Sequence, residues 1–266
     1  MKNFTIEVDK FVKMLENKEN FAFTRFSDGE LHMLQGKPFF IKNDLTLSNG
    51  RLCKGFWGNE ELKTFDPDAD KKCQDKLIES FKHRQHNYFK GICCKCCVGE
   101  EDWKWQFDNL LEETPDDEFL TWSNLFINSN YREYMKRIVP TFSNRPVVIV
   151  CNEKSNITGL PFYENIVKWF PIGNNCHSSH FGLIDEMKEW TKDNDIENHL
   201  FLFSAASLSN YLIYELYKQN DNNTYFDIGS TLNPMMGLEG WVGSRAYLLD
   251  YWKGQPNHYS MMKCLW

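Results

Sequence analysis

The chain has 266 residues, a length that suits one large domain or two small ones. Apolar residues make up 42% of it and charged residues 25%, as in ordinary soluble globular proteins. The formal net charge of −7 excludes the broad positive field by which proteins attract nucleic acid or anionic membranes, so an anionic substrate would need a metal, a helix N-terminus or a few arginines.

Helices and strands alternate along the first half of the chain. Residues 5–17 set apolar side chains among charges at helical spacing, and the aromatic strand FAFTRF that follows ends in the turn SDG. The same criteria predict further helices at 68–85, 100–113 and 130–140, and further strands at 88–94 and 119–124.

The second half repeats this alternation with clearer strands. The run RPVVIVCNE (145–153) predicts a buried strand because four β-branched residues follow a proline, and NIVKWFPI (165–172) predicts another. A helix at 181–193 precedes a strand, a small-residue turn and a helix within 199–219. The last predicted strand is TYFDIGS (224–230).

This order of elements is typical of α/β proteins with a mostly parallel sheet flanked by helices. No linker, repeat or low-complexity segment divides the chain, and the loop NDNNT is too short for a domain boundary. The sequence therefore predicts a single Rossmann-like domain over residues 1–266.

The termini and cysteines indicate a compartment. The N-terminal MKNFTIEVDKFVKMLENKEN is polar and mixed in charge, unlike a signal peptide, and no apolar stretch approaches membrane-spanning length. Nine cysteines without a secretory signal favour reduced thiols. We therefore predict a cytoplasmic protein with no transmembrane segment and no nucleic-acid partner, and leave its oligomeric state open.

Polar side chains follow most of the predicted strands. Ligands of open parallel sheets bind beyond the carboxyl ends of the strands, so these side chains are expected at one crevice. The candidates are Arg25, Asp28, Glu30, Glu153, His177, Ser204, Ser207 and Asp227.

The segment FSAAS lies between a predicted strand and a long helix. The small side chains of Ser204, Ala205 and Ala206 would let a ligand approach the backbone, and a helix N-terminus offers N–H groups to a phosphate. The alternative is a tight turn with Ser207 as the N-cap. Neither a glycine-rich dinucleotide fingerprint nor a Walker-A pattern occurs, so any anion site here is of another type.

Two acids flank a glycine in the segment DGE. In extended geometry Asp28 and Glu30 would point to the same side, where their oxygens suit Mg²⁺ or Mn²⁺, and Gly29 would leave room for a diphosphate. The alternative is an Asp-Gly turn with Glu30 in the first turn of a helix. The three residues alone favour this alternative.

The longer segment RFSDGEL after an apolar strand resembles the hallmark of the GT-D-type glycosyltransferases, which carry Arg-Phe-Gly-Asp-Gly-Glu with a metal-binding Asp-x-Glu. FLFSAASLSNYLIYEL and YFDIGS are similar to the later motifs of that family and come in the same order. The identifiable motifs cover only these three patches. One departure is that Ser27 stands where the family has glycine; a serine fits if its φ is negative.

The resemblance implies a divalent-metal-dependent transferase that moves a sugar from a nucleotide-sugar, most simply a UDP-sugar, to a hydroxyl of a glycan or glycoprotein acceptor. It implies that Asp28 and Glu30 are the Asp-x-Glu acids and bind Mn²⁺ or Mg²⁺. It also implies that the segment 204–206 lies beside the donor nucleotide and that Asp227 lines the same cleft. A divalent ion would stabilise the charge of the departing nucleoside diphosphate.

Three residues are candidates for the base that would take the proton of the acceptor hydroxyl: Glu153, Asp227 and His177. Each also has a structural interpretation, as a surface charge, a cap and a loop histidine respectively. Arg25 could place a positive charge at the diphosphate or pair with Asp28 or Glu30. Arg245 is a candidate second phosphate contact.

The segment GICCKCCVG contains CxxC twice, as Cys93/Cys96 and Cys94/Cys97. Neighbouring residues on a strand point to opposite faces, so all four thiols are not expected to converge on one zinc. We interpret them as buried or partly buried thiols, with metal binding or a local disulfide as the alternative.

Two other function classes compete with the transferase. Another Rossmann-like enzyme, such as a methyltransferase or a metal-dependent phosphohydrolase, would use the same sheet, although a methyltransferase would want a glycine-rich turn where SDGE stands. A non-catalytic nucleotide- or carbohydrate-binding protein would keep the fold without turnover. The pair Asp28 and Glu30 argues against this hypothesis of a non-catalytic protein.

Overall fold

The computed structural model describes residues 2–42, 44–47, 63–238, 248–254 and 261–266. Its strands are β1 (Ala22–Arg25), β2 (Phe39–Lys42), β3 (Asp44–Leu47), β4 (Lys63–Phe65), β5 (Tyr88–Ile92), β6 (Leu120–Trp122), β7 (Val147–Asn152), β8 (Ile166–Ile172), β9 (Leu200–Phe203) and β10 (Thr224–Asp227). Its α-helices are α1 (Phe4–Glu16), α2 (Asp28–Leu34), α3 (Lys71–Lys82), α4 (Lys95–Asn109), α5 (Tyr131–Glu133), α6 (Cys176–Ser179), α7 (Leu183–Asp193), α8 (Ser207–Gln219) and α9 (Leu249–Trp252).

Seven strands form one sheet in the order β6-β5-β1-β10-β9-β7-β8, and every neighbouring pair is parallel. The α/β fold predicted from sequence is therefore confirmed. The chain runs outward from β1 to β5 and β6 on one side, whereas β7 to β10 fill the other side. The strand order thus reverses between β1 and β10, and such a switch point opens a crevice at the carboxyl ends of the strands.

Side chains alternate between two cores along each central strand. In β7, Val147 and Ile149 face the layer that contains α1, whereas Val148 and Val150 face the layer of α2, α3, α7 and α8. Phe23 lies in the first core and Ala22 in the second. Because strand residues alternate in this way, the continuous apolar run of β7 marks a strand buried on both faces.

The segment between α2 and α3 was not assigned from sequence. It contains a three-stranded antiparallel sheet in the order β3-β2-β4, with Phe39 of β2 opposite Phe65 of β4. The side chain of Phe65 is buried among the apolar residues of α2 and α3. This small sheet brings Lys63, the first residue of β4, to the edge of the crevice.

The predicted helix at 130–140 is replaced by shorter pieces. A single turn of α5 continues into a π-helical turn, Tyr134–Ile138, and then into a 3-10 helix, Val139–Asn144, with Pro140 near its start. Proline lacks an N–H and cannot extend an α-helix, which suits the change in winding. Within the described ranges, every helix is too short or too polar to traverse a lipid bilayer.

Candidate functional site

Arg25 and Asp227 meet at the switch point, at the ends of the neighbouring strands β1 and β10. The Nη2 atom of Arg25 lies 3.2 Å from Oδ1 of Asp227, and Nη1 donates to the carbonyl of Ser123 over 3.2 Å. Both side chains are largely buried, 11% and 4% exposed. Arg25 therefore pairs with Asp227 rather than with Asp28 or Glu30, the two partners considered from sequence.

The turn after β10 also holds the Asp227 carboxyl. The backbone N–H of Gly229 donates to its Oδ1 over 2.9 Å, and Gly229 has a φ of +49°. Burial raises the pKa of Asp227 to about 6, although the Arg25 guanidinium and the Gly229 N–H oppose that rise. The Asp227 carboxyl therefore has a structural role, in which it holds Arg25 and the Gly229 turn at the base of the crevice.

The raised pKa of Asp227 predicts a pH-dependent stability. Between its ordinary value of 3.8 and about 6, the folded chain holds a proton that the unfolded chain has released. The contribution of this carboxyl is therefore fully present below pH 3.8 and is lost as the pH rises through 6. The change amounts to about 3 kcal/mol at most, because one pKa unit corresponds to about 1.4 kcal/mol.

Urea unfolding of the wild type and of Asp227→Asn from pH 4 to pH 7 measures this term. The difference in free energy of unfolding between them should shift against the wild type by about 2–3 kcal/mol over that range. Other titrating groups cancel in the difference, including His177, whose low pKa makes stability fall in acid. A difference that stays constant with pH contradicts the assignment.

Glu30 forms a second buried cluster beside the first. Ser207 donates its hydroxyl to Oε1 of Glu30 over 2.6 Å, and Nζ of Lys63 lies 3.5 Å from the same oxygen. The backbone N–H of Ser27 donates to Oε2 over 3.1 Å. Burial alone would raise the pKa of Glu30, but Lys63 and the Ser207 hydroxyl outweigh it and hold that pKa below the ordinary value.

The segment DGE is not extended. Asp28 and Glu30 both lie in the first turn of α2, with Ser27 in the N-cap position at a φ of −84°. Positions i and i+2 of a helix do not share a face, so the two acids do not point to the same side as the extended geometry would require. Asp28 is exposed, whereas Glu30 is buried.

These positions bear on the divalent cation that the family resemblance implies. The exposed Asp28 carboxylate fits a hard cation, since Mg²⁺ needs only one or two protein carboxylates when substrate phosphates supply further oxygens. Both oxygens of Glu30 already have partners within the protein. Glu30 would have to exchange Lys63 for the cation in order to act as a second ligand.

The β9–α8 turn is strained at its centre. Ala206 has a φ of +45° and a ψ of −137°, a conformation that only glycine adopts readily. Ala206 is exposed, and it occupies the N-cap position without a side-chain hydrogen bond. Ser207 is the first residue of α8 and spends its hydroxyl on Glu30, so the interpretation of Ser207 as the N-cap is wrong.

This turn leaves backbone donors at the crevice. The N–H of Ser204 donates to Val150 and that of Ala205 to the hydroxyl of Ser209. We find no acceptor for the N–H groups of Ala206 and Ser207 within the described part of the chain. Two donors at the positive end of a 13-residue helix are suited to an anion.

The remaining candidates occupy unlike environments. His177 in α6 is buried, and its Nε2 lies 3.8 Å from Asp70, too far for a direct hydrogen bond. Burial, assisted by the charge of Lys63, lowers the pKa of His177 to about 4, so the ring is neutral near pH 7. Glu153 follows β7 and is exposed. Arg245 lies outside the described residues.

Sequence reasoning missed Lys63. Its ammonium lies 3.1 Å from the Ser207 hydroxyl and so places a positive charge at the start of α8. No motif surrounds Lys63, and the small sheet that carries it was not predicted from the sequence. It becomes meaningful only when β4 packs against α2 and the β9–α8 turn.

The fold resembles two solved structures, although no protein-family model and no curated protein matches the sequence. One is a selenomethionine-substituted structure of domain of unknown function 1792. The other is described with the statement that this highly conserved domain has a distinct glycosyltransferase fold. For each, the TM-score is 0.55 at 14% identity, over 93% of this chain and 81% of the other. At that identity the likeness concerns the fold alone, a mostly parallel sheet flanked by helices.

Proposed function

We propose that this chain is a glycosyltransferase that moves a sugar from a nucleoside-diphosphate sugar to a hydroxyl. The observation that carries the proposal is that Lys63 lies at the α8 N-terminus, at the switch point of this fold, beside the first turn of α2, which also carries the exposed Asp28. A nucleoside diphosphate needs positive partners, and in a chain with a net charge of −7 they must come from a local arrangement such as this one. The likeness of the fold to one described as a glycosyltransferase fold supports the same reaction class.

The diphosphate is proposed to lie against the β9–α8 turn. The N–H groups of Ala206 and Ser207 would donate to its oxygens, and Lys63 would add a charge, while the small side chains of the turn keep the backbone accessible. Asp28 would hold a Mn²⁺ or Mg²⁺ ion beside the phosphates. That ion would neutralise charge on the departing nucleoside diphosphate.

Burial separates the three candidate bases. His177 is enclosed, and Asp227 is tied to Arg25. Glu153 is exposed at the end of β7, next to β9 in the sheet, and can meet an acceptor from solvent. We therefore assign Glu153 the task of accepting the proton of the acceptor hydroxyl. The donor base is proposed as uridine, and the acceptor as a glycan or glycoprotein.

Titration calorimetry with UDP and other nucleoside diphosphates, with and without Mn²⁺, tests the donor site. We expect one diphosphate to bind at least tenfold more tightly with Mn²⁺. Asp28→Asn should remove that metal dependence, whereas Asp185→Asn, an exposed acid in the first turn of α7, should keep it.

Three results would count against the proposal. The first is that no diphosphate binds, and the second is that Asp28→Asn binds like the wild type. The third is that S-adenosylmethionine binds instead, which favours the methyltransferase alternative. Release of nucleoside diphosphate from the matching sugar donor in the presence of an acceptor then distinguishes an enzyme from a binding protein. Glu153→Gln should slow this acceptor-dependent release by about 10²-fold or more.

A further inference from the structure

Four cysteine sulfurs converge at the start of α4. They belong to Cys94, Cys96, Cys97 and Cys264, and all lie within 4.8 Å of one another. Sγ of Cys94 is 3.1 Å from that of Cys96 and 3.2 Å from that of Cys97. The expectation that the four thiols near β5 do not all converge holds, because Cys93 stays apart, but three of them meet Cys264, and Cys96 and Cys97 are exposed rather than buried.

Cys93 is the thiol that stays apart from the cluster. Its thiol points to the other side of the strand end and donates to the carbonyl of Phe26 over 3.3 Å, as alternation along a strand requires. The fourth sulfur comes instead from Cys264, close to the C-terminus. No spacing rule could pair Cys264 with a motif so far away in the sequence.

The dimensions of the cluster suit a tetrahedral metal. A zinc ion bound at about 2.3 Å from each of four sulfurs sets them about 3.8 Å apart. Two of the observed separations, 3.1 and 3.2 Å, are shorter than this and none exceeds 4.8 Å, so small side-chain rotations reach it. Four sulfur ligands select Zn²⁺ or iron over Mg²⁺ and Ca²⁺, which prefer oxygen.

Amide donors surround the sulfurs. The Asn124 side chain donates to Cys97 over 3.2 Å, that of Asn128 reaches Cys264 at 3.4 Å, and the Leu265 N–H reaches Cys96 at 3.4 Å. N–H groups that point at sulfur stabilise thiolates, the form in which cysteine binds metal.

We propose that Cys94, Cys96, Cys97 and Cys264 bind one structural Zn²⁺ ion. With four protein ligands the ion has no open position, so it holds the fold and does not process a substrate. Each ligand that is a thiol gives up its proton when the metal binds, and no oxidation occurs.

The ion would fasten the C-terminal segment to the sheet. Trp266 packs edge-on against Trp122 at 5.0 Å between ring centroids and donates its indole N–H to Pro115 over 2.8 Å. The N–H of Ser129 donates to the carbonyl of Met262 over 2.9 Å. Asn124, which donates to Cys97, directly follows Ser123, whose carbonyl accepts from Arg25, so these two neighbouring residues connect the cysteine cluster to the Arg25–Asp227 pair.

Metal analysis of the full chain, purified under reducing conditions without an affinity tag of histidines, tests the site. We expect about one zinc per chain in the wild type and in Cys93→Ser, and a loss of at least fivefold in Cys264→Ser and Cys96→Ser. Cys96 is exposed, so its substitution perturbs packing little, and a far-UV circular dichroism spectrum confirms that each variant is folded.

Reconstitution with Co²⁺ gives a second readout that does not depend on zinc carried through purification. The wild type and Cys93→Ser should show the strong visible absorption of tetrahedral cobalt thiolate, and Cys264→Ser should not. Zinc content that is equal in the wild type and Cys264→Ser overturns the proposal. Iron in place of zinc would also overturn it, as would a disulfide among the four cysteines that persists in the chain purified under reducing conditions.

Discussion

Replacing Gly229 with alanine is expected to destabilise the chain by about 3 kcal/mol, from overpacking of a buried site and a left-handed backbone. A Cβ at this position would lie 1.7 Å from Nη2 and 2.7 Å from Cζ of Arg25. Arg25 cannot move aside cheaply, because its guanidinium is buried between Asp227 and the carbonyl of Ser123. Moving it would leave the Asp227 carboxylate buried and unpaired.

Gly237→Ala is the matched control for this prediction. Gly237 also has a positive φ, +67°, but a Cβ there would meet no atom of the described residues within 4 Å. Its substitution should cost only the left-handed strain, about 1 kcal/mol. Urea unfolding at pH 7.5 compares the two variants, and equal losses would show that the contact with Arg25 carries no energy.

The sheet was predictable because its evidence is local. The run VVIV in β7 must be buried on both faces, and the order of strands and helices along the chain already implies parallel pairing. The crevice residues at the ends of β1, β9 and β10 followed from the same rule, since parallel strands end at one edge. Asp227 and Ser207 were located in this way.

The local geometry of the DGE segment was a choice between two patterns. An extended segment would place the two acids on one side, whereas an Asp-Gly turn would place Glu30 in the first turn of a helix. Ser27 followed three residues later by Glu30 is the pattern of a helix N-terminus. The structure has the helix, with the Ser27 N–H bonded to the Glu30 carboxylate. This capping pattern is present in the sequence, and it is stronger evidence for the local backbone geometry than the three residues DGE.

The partners of these residues were not predictable, because they come from distant parts of the chain. Asp227 for Arg25, Lys63 for Glu30 and Cys264 for Cys94 are each separated by tens to hundreds of residues. Local patterns carry no information about such contacts. The Arg25–Asp227 contact forms when β1 pairs with β10, and the other two form when β4 and the C-terminal segment pack against the rest of the fold.

Glu30→Gln is expected to cost about 3 kcal/mol of stability, because it leaves the Lys63 ammonium without its counter-charge. Lys63 is only 16% exposed and Glu30 8%, so water screens the pair poorly. Lys63→Met should be destabilising for the reciprocal reason. The double variant should lose at least 1 kcal/mol less than the sum of the two single losses, since the second substitution removes an orphaned charge.

An exposed pair supplies the control for that cycle. Lys71 and Asp75 lie 2.9 Å apart on α3 with side chains 68% and 51% exposed, so their coupling should be at most about 0.5 kcal/mol. Both cycles are measured by urea unfolding at pH 7. If the two couplings agree, burial adds nothing to the Lys63–Glu30 pair.

Acid provides an independent test of the same pair. The folded-state pKa of Glu30 lies below its ordinary value of 4.5, so its stabilising contribution is present above pH 4.5 and is lost as the pH falls through the lower value. The coupling with Lys63 should therefore decline in that acidic range, because a protonated carboxyl no longer attracts the ammonium. A coupling that is unchanged in acid would mean that Lys63 is held by the Ser207 hydroxyl rather than by the charge of Glu30, and Lys63 would then be free to meet a phosphate without loss of its partner.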